Sequence, residues 1–247
     1  MEINVNDYGS NMIIRGGVGT GKSHTIKSLI LTLFMLKDKG NSIGITIVGM
    51  IDEYSDLLET ASSKFGIPVY KGDNKVNIQD QIEQGGILLI GGKKEFADFK
   101  LTCLRLGRQT VPHFVFIDSP DFLSIKQDIN EFLQISSRLN ISNVVSIQDD
   151  ELVSLEKDLI NDLLSLFPIQ VLFQTKRNTF YEDPNKLLNN RERFELPRGT
   201  FIYVNGTVNK IEKRKVIASQ KCWENLKDDI AVLSLHDLLI TNSEYIE

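Results

Sequence analysis

The chain has few cysteines and no long apolar run. Its two cysteines, Cys103 and Cys222, each lack a nearby cysteine or histidine at metal-ligand spacing, which argues against a disulfide framework or a zinc site and favours reduced thiols. No apolar stretch approaches the ~20 residues that span a bilayer. Residues 1–7 lack the basic and apolar regions of a signal peptide. We therefore expect a cytoplasmic protein without an intrinsic membrane span.

The chain also has no excess of positive charge. It contains 28 Lys and Arg and 33 Asp and Glu, which gives a net charge of -5. Such a chain has no global attraction to nucleic acid, which counts against a free DNA-binding monomer. A ring with a basic lumen stays compatible, since affinity for phosphates depends on local Lys and Arg. Internal repeats and low-complexity tracts are also missing. With 247 residues that are 41% hydrophobic, we expect one α/β domain, 1–247.

Residues 16–23 carry the strongest motif in the sequence, G-x-x-x-x-G-K-[ST]. In such a loop, backbone N–H groups converge on a phosphate, Lys22 reaches the β- and γ-oxygens, and the Ser23 hydroxyl ligates Mg²⁺. A chance glycine-rich turn is the alternative. The apolar run 12–14 before the loop and the helical pattern 24–34 after it favour the phosphate-binding loop. We therefore expect ATP and Mg²⁺ as cofactors, with nucleotide contacts from Gly16, Gly17, Val18, Gly19, Thr20, Gly21, Lys22, Ser23 and His24.

A second apolar strand, 114–117, ends in Asp118. This is the Walker B pattern, in which an aspartate orients Mg²⁺ or its water shell. We expect Ser23 and Asp118 at the metal, and Lys22 and Asp118 among the catalytic residues.

Two more polar residues follow predicted strands and have two interpretations each. Glu53 comes after the apolar run 42–48, where its carboxylate takes part in catalysis or caps a helix. Gln148 ends the strand 144–147, where its amide contacts the γ-phosphate or orients the attacking water, or is a polar strand end. We count both as candidate catalytic residues.

Strand and helix patterns alternate along the chain. Strands are predicted at 42–48, 67–70, 87–90, 114–118, 144–147 and 169–173, and helices at 24–34, 52–64, 96–105, 122–139 and 151–166. The alternation predicts an α/β fold with a mostly parallel sheet and helices on both faces. Strands 200–205 and 213–218, joined around Gly206, predict an antiparallel pair at the C-terminal end. We expect strand 42–48 to lie in parallel beside the P-loop strand.

The ordered motifs resemble the FtsK/HerA superfamily of DNA-pumping ATPases, which includes chromosome translocases, conjugative coupling proteins and the ATPase modules of type VII secretion. The loop 16–23 looks like Walker A, Asp118 like Walker B, and Gln148 like the end of the sensor strand. The segments 52–54, 77–78, 171–178 and 196–204 are similar to the second-strand signature, an Asn-Pro position and the closing strands of these proteins.

The resemblance implies a RecA/FtsK-like P-loop NTPase fold and a hexameric ring of identical subunits. It further implies an ATPase that couples ATP to DNA translocation in conjugative transfer or a similar process, beside a membrane-bound transfer or secretion complex. A neighbouring subunit would complete the site with an arginine, for which Arg138, Arg177 and Arg191 are candidates. Each of these arginines has a surface charge as its alternative interpretation.

Two positions depart from the superfamily pattern. Ser119 stands where such motors have the catalytic glutamate, and Gly49 stands where the second-strand signature has aspartate. General-base help contributes about 10²–10⁴-fold, so we expect slow hydrolysis unless Asp121, Glu53 or Asp149 substitutes. The alternative function is therefore a hydrolysis-impaired nucleotide-binding module that regulates or assembles a secretion or transfer complex. A small-molecule kinase would need a lid or acceptor motif, and none is evident.

Overall fold

The computed structural model describes residues 10–49, 51–71, 77–118, 126–153, 157–175, 193–197, 200–206 and 210–215. The strands in these ranges are β1 (Met12–Gly16), β2 (Gly44–Gly49), β3 (Val69–Lys71), β4 (Ile87–Ile90), β5 (His113–Asp118), β6 (Ile141–Gln148), β7 (Ile169–Phe173), β8 (Thr200–Asn205) and β9 (Lys210–Lys215). The helices are α1 (Lys22–Asp38), α2 (Ile51–Phe65), α3 (Ile78–Glu83), α4 (Lys93–Leu106), α5 (Lys126–Ser136), α6 (Asp149–Val153) and α7 (Lys157–Ser165). A 3₁₀ turn, Ser137–Leu139, follows α5.

All these strands form one sheet in the order β3-β4-β2-β5-β6-β1-β7-β8-β9. The pairs from β3 to β7 are parallel, whereas β7–β8 and β8–β9 are antiparallel. Parallel strands end at the same edge of a sheet, and ligands of open α/β sheets bind at that carboxyl edge. The mostly parallel sheet with antiparallel strands at its C-terminal end confirms the predicted fold class.

The prediction that strand 42–48 lies beside the P-loop strand is wrong. Strand β1 pairs with β6 and β7, while β2 pairs with β4 and β5, so two strands separate β1 from β2. Helical crossovers let consecutive parallel strands skip positions. An apolar strand that is buried on both faces carries no pattern that selects its neighbour. The real order instead brings Gly49, at the end of β2, directly beside Asp118.

Helices cover both faces of the sheet and build two apolar layers. Side chains of α1 and α2, among them Phe34 and Leu58, pack on one face. Side chains of α4, α5 and α7, among them Phe96, Phe132 and Leu164, pack on the other face. Successive residues of each parallel strand alternate between the two layers, so both faces need apolar residues. This arrangement holds the carboxyl ends of the central strands in place.

Some elements start earlier than their sequence patterns predict. Helix α4 begins at Lys93, and β6 begins at Ile141 rather than Val144. The early part of β6 was missed because Asn143 is polar, yet it is fully buried. Its Nδ2 donates to Asn11 Oδ1 at 2.8 Å and to Ser136 Oγ at 2.6 Å, which compensates the burial of this amide nitrogen. Residues 122–125 and 154–156, from two predicted helices, lie outside the described residues.

The antiparallel pair at the C-terminal end is confirmed, with β8 at the predicted Thr200–Asn205 and β9 starting at Lys210. Residues 216–218 of the predicted strand lie outside the described ranges. Among the described helices, none is both long and apolar enough to cross a membrane. Cys103 is a free, buried thiol, and burial raises its pKa to about 12.

Candidate nucleotide-binding site

The predicted P-loop connects the carboxyl end of β1 to α1, and its floor rests on the end of β7. A Cβ atom on Gly16 would lie 2.6 Å from Cβ of Phe173, so only glycine fits there. The N–H of Gly17 donates to the carbonyl of Gln174 at 2.9 Å. Gly21 has a φ of 118°, in a region that L-residues with side chains avoid. These contacts explain the glycines of the motif by close packing and backbone conformation.

Lys22 lies folded back inside this loop. Its Nζ donates to the carbonyls of Gly16 at 3.1 Å and Gly17 at 2.7 Å, and the side chain is largely buried. The Thr20 hydroxyl also donates to the Gly17 carbonyl, at 2.9 Å. Burial lowers the pKa of Lys22, and the nearby carboxylates of Asp149 and Asp118 oppose this shift. The loop therefore holds a buried ammonium group at its centre, where a phosphate chain would need one.

The first turn of α1 faces the loop without a compensating acidic residue. Ser23 is half-buried and His24 is exposed in this turn, and the turn contains no Asp or Glu. The partial positive charge of the helix N-terminus is therefore left for an anion. Val18 is 70% exposed at the tip of the loop. The nine candidate nucleotide contacts thus lie on one continuous loop and helix start.

Asp118 ends β5 at the same edge of the sheet and is only 8% exposed. The hydroxyl of Tyr54 in α2, itself fully buried, donates to Asp118 Oδ2 at 2.5 Å. Lys27 Nζ lies 5.5 Å from the centre of the Tyr54 ring. Sequence reasoning gave Tyr54 no role, although it belongs to the 52–54 signature. The structure places it as the partner that orients the Asp118 carboxylate.

The donor set at this edge fits Mg²⁺. Ser23 supplies a hydroxyl and Asp118 a carboxylate whose Oδ1 has no hydrogen bond among the described residues. In the same ranges, no cluster of three His, Cys, Asp or Glu could hold a metal alone. Mg²⁺ in phosphate sites is bound by one or two protein oxygens together with phosphates and waters. A hydroxyl and one oriented carboxylate match that requirement.

Gln148 ends β6 directly beside the start of the P-loop. The register of the sheet pairs it with Gly16. Its backbone N–H donates to Glu151 Oε2 at 3.1 Å, and its side chain is half-buried. An amide at this position is next to the loop that would hold the phosphates. The strand order therefore brings Gln148 and the loop together, as its candidate role requires.

Some candidate residues lie wholly or partly outside the described residues. Glu53 lies in the first turn of α2, but its side chain is outside the description. Ser119, Asp121, Arg177 and Arg191 also lie outside the described residues.

Arg138 is exposed on the turn before β6. That turn is at the amino end of an eight-residue strand, about 25 Å from the carboxyl edge at ~3.3 Å per residue. Arg138 therefore does not reach the P-loop of its own chain.

A buried ion cluster under the P-loop was missed from the sequence. Arg15 Nε lies 3.3 Å from Asp149 Oδ1, and Arg193 Nη2 lies 2.7 Å from Asp149 Oδ2. We call these three residues the Asp149 cluster. Burial alone would raise the pKa of Asp149, but the charges of Arg193 and Arg15 and a hydrogen bond with Thr175 outweigh it and hold that pKa below its usual value. The signal that could have found the cluster is Arg15, a charge inside an otherwise apolar strand.

The sheet order, the P-loop between β1 and α1 and the aspartate ending β5 define a P-loop NTPase fold. Solved structures show the same architecture. The genome packaging NTPase B204 from Sulfolobus turreted icosahedral virus 2, in complex with AMPPCP, aligns with a TM-score of 0.55 at 15% identity, over 85% of this chain and 100% of that chain.

Two further structures share the fold. The plasmid coupling protein TrwB in complex with GDPNP aligns with a TM-score of 0.58 at 12% identity, over 84% of this chain and 86% of that chain. The cytoplasmic domain of the Thermomonospora curvata type VII secretion ATPase EccC gives 0.54 at 11% identity, over 82% of this chain and 23% of that chain. No family model matches this chain, and no curated protein matches it significantly. The chain thus shares the P-loop NTPase fold of these structures, which is the fold that the resemblance implied.

Proposed function

We propose that this chain binds ATP and Mg²⁺ and hydrolyses ATP as a subunit of an FtsK/HerA-like motor that translocates DNA, in conjugative transfer or a similar process. The observation that carries the proposal is the meeting of the Lys22 loop, Asp118 and Gln148 at the carboxyl edge of three neighbouring strands. This is where ligands bind in open α/β sheets. The aligned structures support it, since one is a genome packaging NTPase in complex with AMPPCP and another is a plasmid coupling protein in complex with GDPNP.

Each residue has a chemical task in this proposal. Lys22 leaves the Gly16 and Gly17 carbonyls and donates to the β- and γ-phosphate oxygens, where the loop N–H groups and the start of α1 also bind. Ser23 and Asp118 hold Mg²⁺, which when bound neutralises phosphate charge. Tyr54 keeps the Asp118 carboxylate in one orientation.

Two residues are proposed for the hydrolytic step. Gln148 donates its amide to the γ-phosphate or orients the attacking water. Glu53 is the candidate base, from the first turn of α2, next in sequence to Tyr54. A base at this position would compensate for Ser119, which cannot accept a proton as a carboxylate does.

We propose a hexameric ring in the cytoplasm, with an arginine from the neighbouring subunit at the γ-phosphate. The two described arginines nearest the loop, Arg15 and Arg193, are bound to Asp149 and buried. They are therefore not placed to bind phosphate in their own chain. Mixing Lys22→Ala subunits with subunits that carry an arginine substitution tests catalysis in trans, and mixtures that never differ from the sum of their parts would contradict it.

The second candidate function is a hydrolysis-impaired nucleotide-binding module that regulates or assembles a transfer or secretion complex. The observation that favours it is Ser119, which follows Asp118 where the motors carry glutamate. Such a module would bind ATP through the same loop and would keep the ring interface. It would differ from the motor in turnover only.

The test is ATP turnover of the purified chain with and without double- and single-stranded DNA, with assembly followed by light scattering. A motor should hydrolyse ATP faster when DNA is added, and the Lys22→Ala variant should show no activity. A module should bind ATP tightly with little turnover under every condition. Absence of ATP binding in a folded protein would contradict both candidates.

A further inference from the structure

The Asp149 cluster joins four parts of the chain at the edge where the P-loop lies. Arg15 belongs to β1, which runs into the loop, and Asp149 directly follows Gln148. Arg193 lies in the segment 193–197, far along the sequence, and also donates to the carbonyl of Phe173 at the end of β7, from Nη2 at 3.2 Å and from Nε at 3.3 Å. The Asp149 carboxylate therefore connects β1, the end of β6 and the segment 193–197, and Arg193 extends the connection to β7.

Burying these three charged side chains has a desolvation penalty, so we ask whether the cluster does more than stabilise the fold. The side chains of Arg15, Asp149 and Arg193 are 3–4% exposed. Removing charges from water has a desolvation penalty that often cancels their attraction, so apolar replacement of a buried ion cluster is often neutral or even stabilising. The cluster also carries two positive charges for one negative charge. Stability alone is therefore a weak reason for it.

The nucleotide site explains why a fixed Asp149 is useful. No side-chain hydrogen bond of Gln148 exists among the described residues, and its place depends on its backbone. That backbone pairs with Gly16 on one side and continues into Asp149 on the other. Asp149 is anchored by Arg15 and Arg193, so these contacts hold the end of β6 in place beside the loop.

The segment 193–197 has a second connection to the loop. Gln174 accepts the N–H of Gly17 with its carbonyl at 2.9 Å, and its side-chain Nε2 donates to the carbonyl of Phe194 at 3.3 Å. Arg193 and Phe194 thus reach the loop by two routes, through Asp149 and through Gln174. Both routes end at the first two residues of the P-loop.

We propose that Asp149, with Arg15 and Arg193, is a positioning unit that sets the distance of Gln148 from the γ-phosphate. It acts through the strand end and does not touch nucleotide, and it links the segment 193–197 to the state of the site. This inference rests on the proposed function, because it requires that Gln148 senses the γ-phosphate. The inference adds three residues on which the discrimination of ATP from ADP by Gln148 depends.

The test uses an apolar variant designed to keep the fold, Arg15→Met, Asp149→Leu and Arg193→Met together. Calorimetry measures the affinities of wild type, this variant, Gln148→Ala and their combination for ADP and for the ATP analogue AMPPNP, with Mg²⁺. In the triple variant and in Gln148→Ala, the ratio of the affinity for AMPPNP to the affinity for ADP should fall by roughly tenfold or more. This is the effect expected from the loss of a hydrogen bond to a charged group. The combination should lose no more than Gln148→Ala alone, because the two changes act on one contact.

A matched control removes a buried polar contact at the other end of β6. Ser136→Ala deletes the hydroxyl that accepts from Asn143 Nδ2 at 2.6 Å, which should lower stability and leave the nucleotide preference unchanged. If the triple variant does not fold, Arg193→Lys keeps the charge but loses the paired donors to Phe173 and Asp149. It should then lose part of the preference.

Three results separate the inference from the proposed function. If the triple variant, or Arg193→Lys in its place, keeps the wild-type preference while Gln148→Ala loses it, the inference is wrong and the proposed function stands. If Gln148→Ala leaves the preference unchanged, Gln148 is no sensor and the inference is also wrong. If wild type binds neither nucleotide, the proposed function itself fails and the inference fails with it.

Discussion

The contact between Tyr54 and Asp118 gives the sharpest prediction. Tyr54→Phe removes one oxygen and keeps the ring, which packs in the layer under α1 and α2. The hydroxyl lies 2.5 Å from Asp118 Oδ2, and both residues are buried. The substitution therefore leaves a buried carboxylate without its donor and creates almost no cavity.

The expected loss follows from the charge of the acceptor. Hydrogen bonds to charged groups contribute about 1.5–3 kcal/mol to the free energy of unfolding. At ~2–4 °C per kcal/mol for a chain of this size, Tm should fall by roughly 3–12 °C. In a double-mutant cycle with Asp118→Asn, most of this loss should appear as coupling between the two residues. The matched control is Tyr70→Phe, because the Tyr70 hydroxyl has no hydrogen bond among the described residues.

The assay is thermal unfolding with ATP in Mg²⁺ or in EDTA. Since Tyr54 orients the proposed Mg²⁺ ligand, Tyr54→Phe should raise the Mg²⁺ concentration needed for half of the ATP-induced increase in Tm several-fold. The increase in EDTA should not change. A Tyr54→Phe protein that melts within 1 °C of wild type and has an unchanged Mg²⁺ titration would refute this reasoning.

Two further predictions concern the catalytic base and pH. If the wild type lacks a base, as the hydrolysis-impaired module requires, Ser119→Glu should raise the ATPase rate at least several-fold in the assembled protein, with little change in ATP affinity, because it restores the carboxylate that the resemblance implies at this position. A brisk wild-type rate that Ser119→Glu does not raise, and that Glu53→Gln abolishes, would contradict the module and support Glu53 as the base. Burial, aided by the charge of Lys37, lowers the pKa of His113 to about 3. Below pH ~6.5 the His113 side chain binds a proton in the unfolded chain but not in the native state. The free energy of unfolding should therefore be about 2 kcal/mol lower at pH 5 than at pH 8. Urea unfolding should show this loss in wild type relative to His113→Gln; equal pH dependence in both proteins would exclude His113 as its source.

Most of the order of the elements could be predicted from the sequence, since apolar runs and helical periodicity reflect burial directly. The short helix α3 was not predicted, and the predicted helix 151–166 corresponds to two helices, α6 and α7. Strands 87–90 and 169–173 have the predicted bounds. The neighbours of the strands could not be predicted in the same way. The run 42–48 is apolar on both faces, and nothing in it distinguishes β5 from β1 as a partner.

The residues of the candidate site that belong to sequence motifs could be predicted. Lys22, Asp118 and Gln148 come from local patterns, and the sheet brings them to one edge. Tyr54 and Arg193 act through contacts over 64 and 44 positions in sequence. Such contacts depend on tertiary packing, which a local pattern does not encode.

The most direct test of the proposed function is calorimetric titration of Mg-ATP into wild type and Lys22→Ala, with folding of each protein checked by circular dichroism. Lys39→Ala is the control, because Lys39 is an exposed lysine at the other end of α1. Wild type and Lys39→Ala should bind with equal affinity, and Lys22→Ala should show no binding, since it loses the buried ammonium of the loop. A folded Lys22→Ala protein that binds Mg-ATP as tightly as wild type would contradict the assignment of the site.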